Sequence, residues 1–179
     1  MVYSLFFIKE RTYNMALTLY SKTSLLSLHH RIRLCDEDKH VWYYAKTAIL
    51  TFTNKTTIYN ANRQKVATIR RKLVSFHRAY KITMRNGLSF TMRKELLHVY
   101  RDVIDIKDLG WQCRGNIFEL NFTVLDRHNR KLAAIKQKMV SVHDKYKIEV
   151  YDSTHLDMLI TLLITLQHMV IDEEKEKRS

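Results

Sequence analysis

Residues 58–84, IYNANRQKVATIRRKLVSFHRAYKITM, align without a gap with residues 124–150, VLDRHNRKLAAIKQKMVSVHDKYKIEV. Ten of these positions are identical, at a constant offset of 66 residues. A shorter copy, residues 24–34, matches residues 72–82. A unit that recurs within one chain indicates a fold made of similar pieces that pack beside one another.

Each copy of the unit has the alternating pattern of β-strands. Tyr80, Ile82 and Met84 alternate with polar residues, and residues 146–150 alternate in the same way. Such alternation predicts strands with one buried and one solvated face. Clusters of Asp, Asn and Gly separate the strands: residues 36–38, 60–62, 86–87 and 126–129. Asn and Asp tolerate the left-handed conformation of tight turns, so about ten to twelve short strands forming an antiparallel barrel or sandwich are expected.

The segment from Leu156 to Ile171 has a different pattern. Asp152 to Thr154 offer N-cap residues, and apolar residues then cover every side of the helix that follows. A helix that is apolar all round is buried in protein or in lipid. The unbroken apolar stretch between Asp157 and Gln167 is about half of what a membrane span requires. We therefore predict a helix that runs through the middle of the barrel.

Composition restricts the class of protein. The chain has 179 residues, of which 46% are hydrophobic, as expected for one globular domain. Two cysteines, Cys35 and Cys113, cannot build a disulfide framework, and no segment resembles a secretory signal. A cytoplasmic protein is therefore the expectation.

The positive charge is concentrated in one third of the chain. The formal net charge is +13, and no acidic residue lies between Asp38 and Glu95. That interval holds thirteen basic residues, whereas basic and acidic residues balance in the rest of the chain. If the interval forms one wall of the barrel, that wall has a positive field and attracts anions. The alternative is a solvated basic surface that only keeps the protein soluble.

Several segments resemble the LURP-one-related (YxjI-like) family of the tubby-like superfamily. The residues that carry the resemblance are the unit 60–75, the segment LGWQCRG at 109–115, the hairpin 122–126, and the unit 138–152 leading into the apolar helix. The resemblance implies a mainly β fold: a closed antiparallel twelve-stranded barrel around a hydrophobic C-terminal α-helix. Relatives in the superfamily include phospholipid scramblases and the tubby domain, which binds phosphoinositides. The family name does not fix a function.

The resemblance also predicts the domain organisation. Residues 1–14 are expected to be an N-terminal extension, residues 15–172 the tubby-like domain, and residues 173–179 a charged tail. The chain departs from the family pattern in being unusually basic and in lacking the common glycines of the turns.

The sequence argues against an enzyme. Ser-x-His occurs three times, at Ser27–His29, Ser75–His77 and Ser141–His143, and a motif repeated with the unit reflects strand geometry rather than one active site. With only three glycines, the chain lacks the glycine-rich loops that hold nucleotide phosphates. Four residues are of types that bind metals, but their spacing fits no zinc pattern: His29, His30, Cys35 and His40. We expect no catalytic residues, no cofactor and no metal.

The densest basic cluster predicts the binding site. Arg70, Arg71 and Lys72 are consecutive, and strand alternation places Arg70 and Lys72 on one face and Arg71 on the other. The predicted anion- or lipid-binding residues are Arg63, Lys65, Arg70, Arg71, Lys72, Lys81 and Arg85. The expected function is a non-enzymatic, monomeric barrel that binds anionic membrane lipid or phosphoinositide headgroups by charge-assisted hydrogen bonds and attaches peripherally to the membrane.

Three alternatives remain open at the level of sequence. The same basic wall could bind nucleic acid, with Trp42, Tyr43, Tyr44 and Tyr59 as stacking partners, although these aromatics also fit a strand core. The protein could be an interaction module for another protein. It could also take part in scramblase-related lipid handling.

Overall fold

A twelve-stranded antiparallel sheet curls around one helix in the computed structural model of the protein. The structure describes residues 16–23, 31–48, 55–72, 79–93, 102–116, 119, 121–137 and 146–177. The strands are β1 (Leu17–Thr23), β2 (Arg31–Cys35), β3 (Val41–Ala48), β4 (Lys55–Asn60), β5 (Lys65–Lys72), β6 (Ala79–Met84), β7 (Ser89–Arg93), β8 (Asp102–Ile106), β9 (Trp111–Asn116), β10 (Asn121–Leu125), β11 (Lys131–Gln137) and β12 (Tyr146–Val150).

The strands follow one another around the sheet in the order β7-β6-β5-β4-β3-β2-β1-β12-β11-β10-β9-β8. The strand β1 therefore joins two meanders, because it pairs with β2 on one side and with β12 on the other. The two ends of the sheet, β7 and β8, lie side by side. Near this junction the backbone N–H of Thr91 on β7 donates to the carboxylate of Asp108, at 3.2 Å, in the short 3-10 turn after β8. The result is a nearly closed barrel, which confirms the predicted fold class.

The sequence repeat corresponds to a repeated three-strand meander. Strands β4–β6 and β10–β12 pair in the same register, and both copies contain a bulge at the equivalent position. The bulge falls between Ile58 and Tyr59 in the first copy and between Val124 and Leu125 in the second. The alignment of the two segments therefore predicted real structural equivalence.

Three of the turns between strands share one hydrogen-bonding pattern. An Asp or Asn begins each turn and accepts a side-chain hydrogen bond, at 2.9–3.0 Å, from the backbone N–H four residues later; these residues are Asp36, Asn60 and Asp126. The left-handed residues are the fourth of each turn, namely Lys39, Arg63 and Asn129, with φ of 67°, 60° and 60°. The expectation that Asn and Asp themselves take the left-handed position holds only for Asn129, because in the other two turns the first residue fixes the turn through its side chain.

The helix α1 (Leu156–Lys177) lies inside the barrel. Asp152 caps the 3-10 turn that precedes it by accepting from the N–H of Thr154 at 3.0 Å, as the sequence predicted. Every residue from Leu159 to Gln167 is buried, so strands surround the helix on all sides. The core consists of these helical side chains and the inward-facing residues of the strands. Among the described residues, no helix is both long and apolar enough to cross a membrane.

The prediction that the helix is apolar on every side was wrong. One side carries a polar line at spacings of four, four, three and four residues: Asp157, Thr161, Thr165, His168 and Asp172. The hydroxyls of Thr161 and Thr165 donate to helix carbonyls four residues earlier, at 2.7 and 2.8 Å. Threonine can satisfy its hydroxyl within its own helix in this way, so it tolerates complete burial.

Tyrosines of the barrel wall bind the two ends of this polar line. The Tyr43 hydroxyl donates to Asp157 and the Tyr80 hydroxyl donates to Asp172, both at 2.6 Å. Burial, together with the Asp157 carboxylate, raises the pKa of Tyr43 well above its usual value, so that hydroxyl remains a donor. These two hydrogen bonds fix the position of the helix along the barrel axis.

Candidate anion-binding site

The predicted site residues fall into separate groups. Arg70 and Lys72 on β5 and Lys81 on β6 are exposed on the outer face of the barrel. Arg70 lies directly opposite Lys81 in the register of the two strands. These residues form the part of the prediction that the structure brings together.

A third cation extends this pair into a row. Lys55 on β4 lies opposite Arg70 on its other side, so Lys55, Arg70 and Lys81 occupy neighbouring positions on three adjacent strands. We call these three residues the basic row. Like charges directly opposite one another destabilise a sheet. Within the described parts of the chain, no carboxylate forms an ion pair with any of the three.

The second copy of the meander has the same geometry but different charges. Lys136 and Lys147 occupy the positions of Arg70 and Lys81 and face each other in the same way. There, however, Glu149 on β12 pairs with Lys147 at 2.8 Å. The equivalent position in the first copy is Thr83.

The pKa values of Glu149 and Lys147 reflect this ion pair. Hydrogen bonds from Lys147 and Tyr151, opposed by desolvation, lower the pKa of Glu149. The same contact raises the pKa of Lys147. In the second copy Glu149 thus compensates these cations, whereas the described residues supply no ion-pair partner for their counterparts in the first copy.

Arg71 lies apart from the other predicted residues. Its guanidinium pairs with Asp172 of the helix α1, at 3.3 Å, and only 24% of its side chain is exposed. Strand alternation predicted that Arg71 faces away from Arg70, and the structure shows that this direction is the barrel interior. Arg71 thus holds the C-terminal half of the helix and does not belong to the outer face.

Three further predicted residues lie at the opposite end of the meander. Lys65 begins β5 opposite Tyr59, and Arg63 occupies the left-handed position of the turn before it. Arg85 follows β6 and lies 3.5 Å from the side-chain oxygen of Gln64. These exposed cations are four or more residues along the strands from the basic row.

The site residues predicted from the sequence did not include three cations: Lys55, Arg33 and Lys46. Lys55 is one of the thirteen basic residues between Asp38 and Glu95, but only the register of β4 against β5 reveals its position beside Arg70. The difference between Thr83 and Glu149 was visible in the aligned repeat and could have pointed to the first copy.

The other candidate groups are the Ser-x-His pairs, the cysteines and the possible metal ligands. The Ser-x-His pairs, and likewise His29 and His30, lie outside the described residues. Cys35 and Cys113 are buried free thiols. Asp36, Asp38 and His40 place one ligand atom each within 4.8 Å of one another. Hydrogen bonds from the Trp42 indole and the His40 backbone lower the pKa of Asp36, so its carboxylate already stabilises the turn.

Comparison with known proteins identifies the family. Residues 17–167 match the model of the LURP-one-related family, and the chain belongs to that family. The fold is similar to the X-ray structure of a protein from Arabidopsis thaliana, with a TM-score of 0.61 and 12% sequence identity. The similarity covers 85% of this chain and 91% of the plant protein. No curated protein matches the sequence.

Proposed function

We propose that the protein is a non-enzymatic barrel whose basic row binds the anionic headgroups of membrane lipids, phosphoinositides included. The observation that carries this proposal is the row of Lys55, Arg70 and Lys81, which has no ion-pair partner among the residues that the structure describes. Packing does not require these charges, since all three lie on the outer face of the sheet.

The internal repeat supplies a control for this argument. Two strands with the same register bear opposed cations in both copies, and the second copy pairs one of them with Glu149. The first copy retains the electrostatic cost because Thr83 provides no carboxylate. A site that must receive an anion from outside explains why the cost persists, since a phosphate oxygen takes the place of the missing carboxylate.

The size of the expected effect follows from the number of cations. Each base near an anionic leaflet contributes about 1 kcal/mol, so three adjacent bases contribute about 3 kcal/mol. Lys72 lies two residues beyond Arg70 on the same face and adds to the local field. Such binding is peripheral and weakens as salt rises, because exposed charges are screened over about 8 Å at physiological ionic strength.

Vesicle binding tests the proposal. Replacing Arg70 and Lys81 together by Gln removes two charges from the basic row. Binding to vesicles of phosphatidylserine with phosphatidylcholine, measured by co-sedimentation at low salt, should fall by roughly 30-fold, the equivalent of about 2 kcal/mol. The matched control replaces Lys136 and Lys147 by Gln, which removes the same charge from the second copy.

The control variant should retain most of the binding. Equal losses in the two double variants would show that net charge alone attracts the protein to the vesicle. No binding of the unmodified protein to anionic vesicles at low salt would refute the proposal. Adding a phosphoinositide to the vesicles at constant total charge then separates headgroup recognition from general attraction.

A further inference from the structure

A concavity of about 540 Å³ lies on the outer face of strands β2–β4, four residues along β4 from the basic row. Two tyrosines line it, Tyr44 and Tyr59, which lie opposite each other on adjacent strands. Their ring centroids are 6.2 Å apart and their planes are tilted by 31°. The hydroxyl of Tyr44 donates to the carbonyl of Ala61 at 3.1 Å and thereby holds that ring in place.

Three cations surround the two rings. Arg33, Lys46 and Arg63 line the concavity and are exposed. The Lys46 ammonium lies 5.7 Å from the centre of the Tyr59 ring, and Arg33 is opposite Tyr44 in the register of β2 and β3. One row across four strands therefore reads Arg33, Tyr44, Tyr59 and Lys65.

The chemistry of this lining selects a class of ligand. Aromatic faces stack on planar rings, and the surrounding cations bind phosphate. Among the described residues that line the concavity, none carries a carboxylate or an amide side chain, the groups that usually bind the hydroxyls of a polyol ring. The lining thus suits a base and its phosphate better than a sugar-like headgroup. The volume lies in the usual range for small-molecule sites.

We propose that this concavity binds a nucleotide unit of single-stranded nucleic acid, with the base on Tyr44 and Tyr59 and phosphates on the three cations. The basic row continues the path of the bound nucleic acid. Lys55 lies four residues from Tyr59 along β4, a distance of about 13 Å at the usual rise of a β-strand. This inference goes beyond headgroup binding, since its central contacts are the lining residues of the concavity, which the headgroup site does not use, and since stacking adds an uncharged contribution.

Fluorescence anisotropy with a short labelled oligothymidylate tests the site. Replacing Tyr59 by Leu, the residue that the second copy has at position 125, removes one ring. Binding should weaken by roughly 5- to 150-fold while its dependence on salt stays unchanged, because stacking releases no counterions. Tyr59→Phe should restore binding. Lys46→Gln should instead reduce the slope of log affinity against log salt by about 0.7.

Competition experiments separate the sources of the ligand. An unlabelled duplex of the same length should compete poorly, because its bases are already stacked, and thymidine monophosphate should compete only at far higher concentration. If the duplex or thymidine monophosphate competed as strongly as unlabelled oligothymidylate, the proposal of a single-stranded ligand would be overturned. Unchanged oligothymidylate affinity in Tyr59→Leu and in Tyr44→Leu, with both variants melting near the parent temperature, would also overturn it. Vesicle binding by Tyr59→Leu should be unaffected. A negative result with oligothymidylate therefore leaves the headgroup proposal intact.

Discussion

Replacing Leu163 by Ala should strongly destabilise the protein. Leu163 is near the middle of the buried part of the helix α1 and is 1% exposed, with barrel wall on every side. The substitution removes three carbon atoms from the core, which costs about 2.4 kcal/mol in transfer free energy. A closed barrel cannot collapse around the cavity, so the loss should lie in the upper part of the 2–5 kcal/mol range for such substitutions, at about 4 kcal/mol.

Thermal unfolding measured by circular dichroism provides the assay. For a chain of this size, 1 kcal/mol corresponds to about 2–4 °C, so the melting temperature should fall by about 8–16 °C. The control is Leu88→Ala, which makes the same chemical change at a side chain that is 39% exposed. Its melting temperature should change by no more than a few degrees.

Equal, small decreases in melting temperature for Leu163→Ala and Leu88→Ala would contradict a helix buried in the barrel. That outcome would mean that the helix lies at the periphery and is not the core of the barrel. A truncation after Ser153 gives an independent measure, because a barrel without its helix should be insoluble or molten.

Three further changes test the backbone and the electrostatics. Arg63→Gly should stabilise the protein by about 0.5–1 kcal/mol relative to Arg63→Ala in urea denaturation, because φ is +60° there; the reverse order would contradict the assigned turn. Gly115→Ala should cost about 3 kcal/mol or more in the same assay, since the new Cβ would collide with the backbone of Asn121, and a silent change would refute that close approach. The pKa of Glu149 is lowered in the folded state, so its contribution to stability is present above pH of about 4.5 and is lost as pH falls below it. Glu149→Gln should therefore reduce the loss of unfolding free energy as pH falls below about 4.5. An unchanged loss would show that the ion pair with Lys147 does not contribute to stability.

The sequence predicted the architecture well because period-two alternation and a repeat without gaps can both be seen in a single chain. Tyr80, Ile82 and Met84 face the core as expected. The polar line of the helix is easily missed, because Thr161 and Thr165 are compatible with an apolar face. Only their spacing from Asp157 and Asp172 shows that these residues lie on the same side of the helix. The tyrosines that donate to Asp157 and Asp172, Tyr43 and Tyr80, are more than ninety residues away in the chain.

The candidate site was predictable only in part. Composition located the basic third of the chain, and alternation separated Arg70 from Arg71. Cross-strand register decides which cations meet, and a one-residue shift changes every neighbour, so the pairing of Lys55 with Arg70 needed the structure. Trp42, Tyr44 and Tyr59 proved to lie outside the core, whereas Tyr43, at 4% exposure, lies inside it.

The central claim is that the missing carboxylate at position 83 leaves an anion site open. Thr83→Glu supplies the carboxylate that the second copy has at Glu149, and Thr123→Glu makes the same change of charge on the outer face of β10. Both variants should be compared in co-sedimentation with phosphatidylserine vesicles at low salt. The account predicts that Thr83→Glu weakens binding by about fivefold, the equivalent of about 1 kcal/mol for one neutralised base, while Thr123→Glu changes it by no more than about twofold. Equal losses in the two variants would contradict it, because binding would then depend on net charge and not on the basic row.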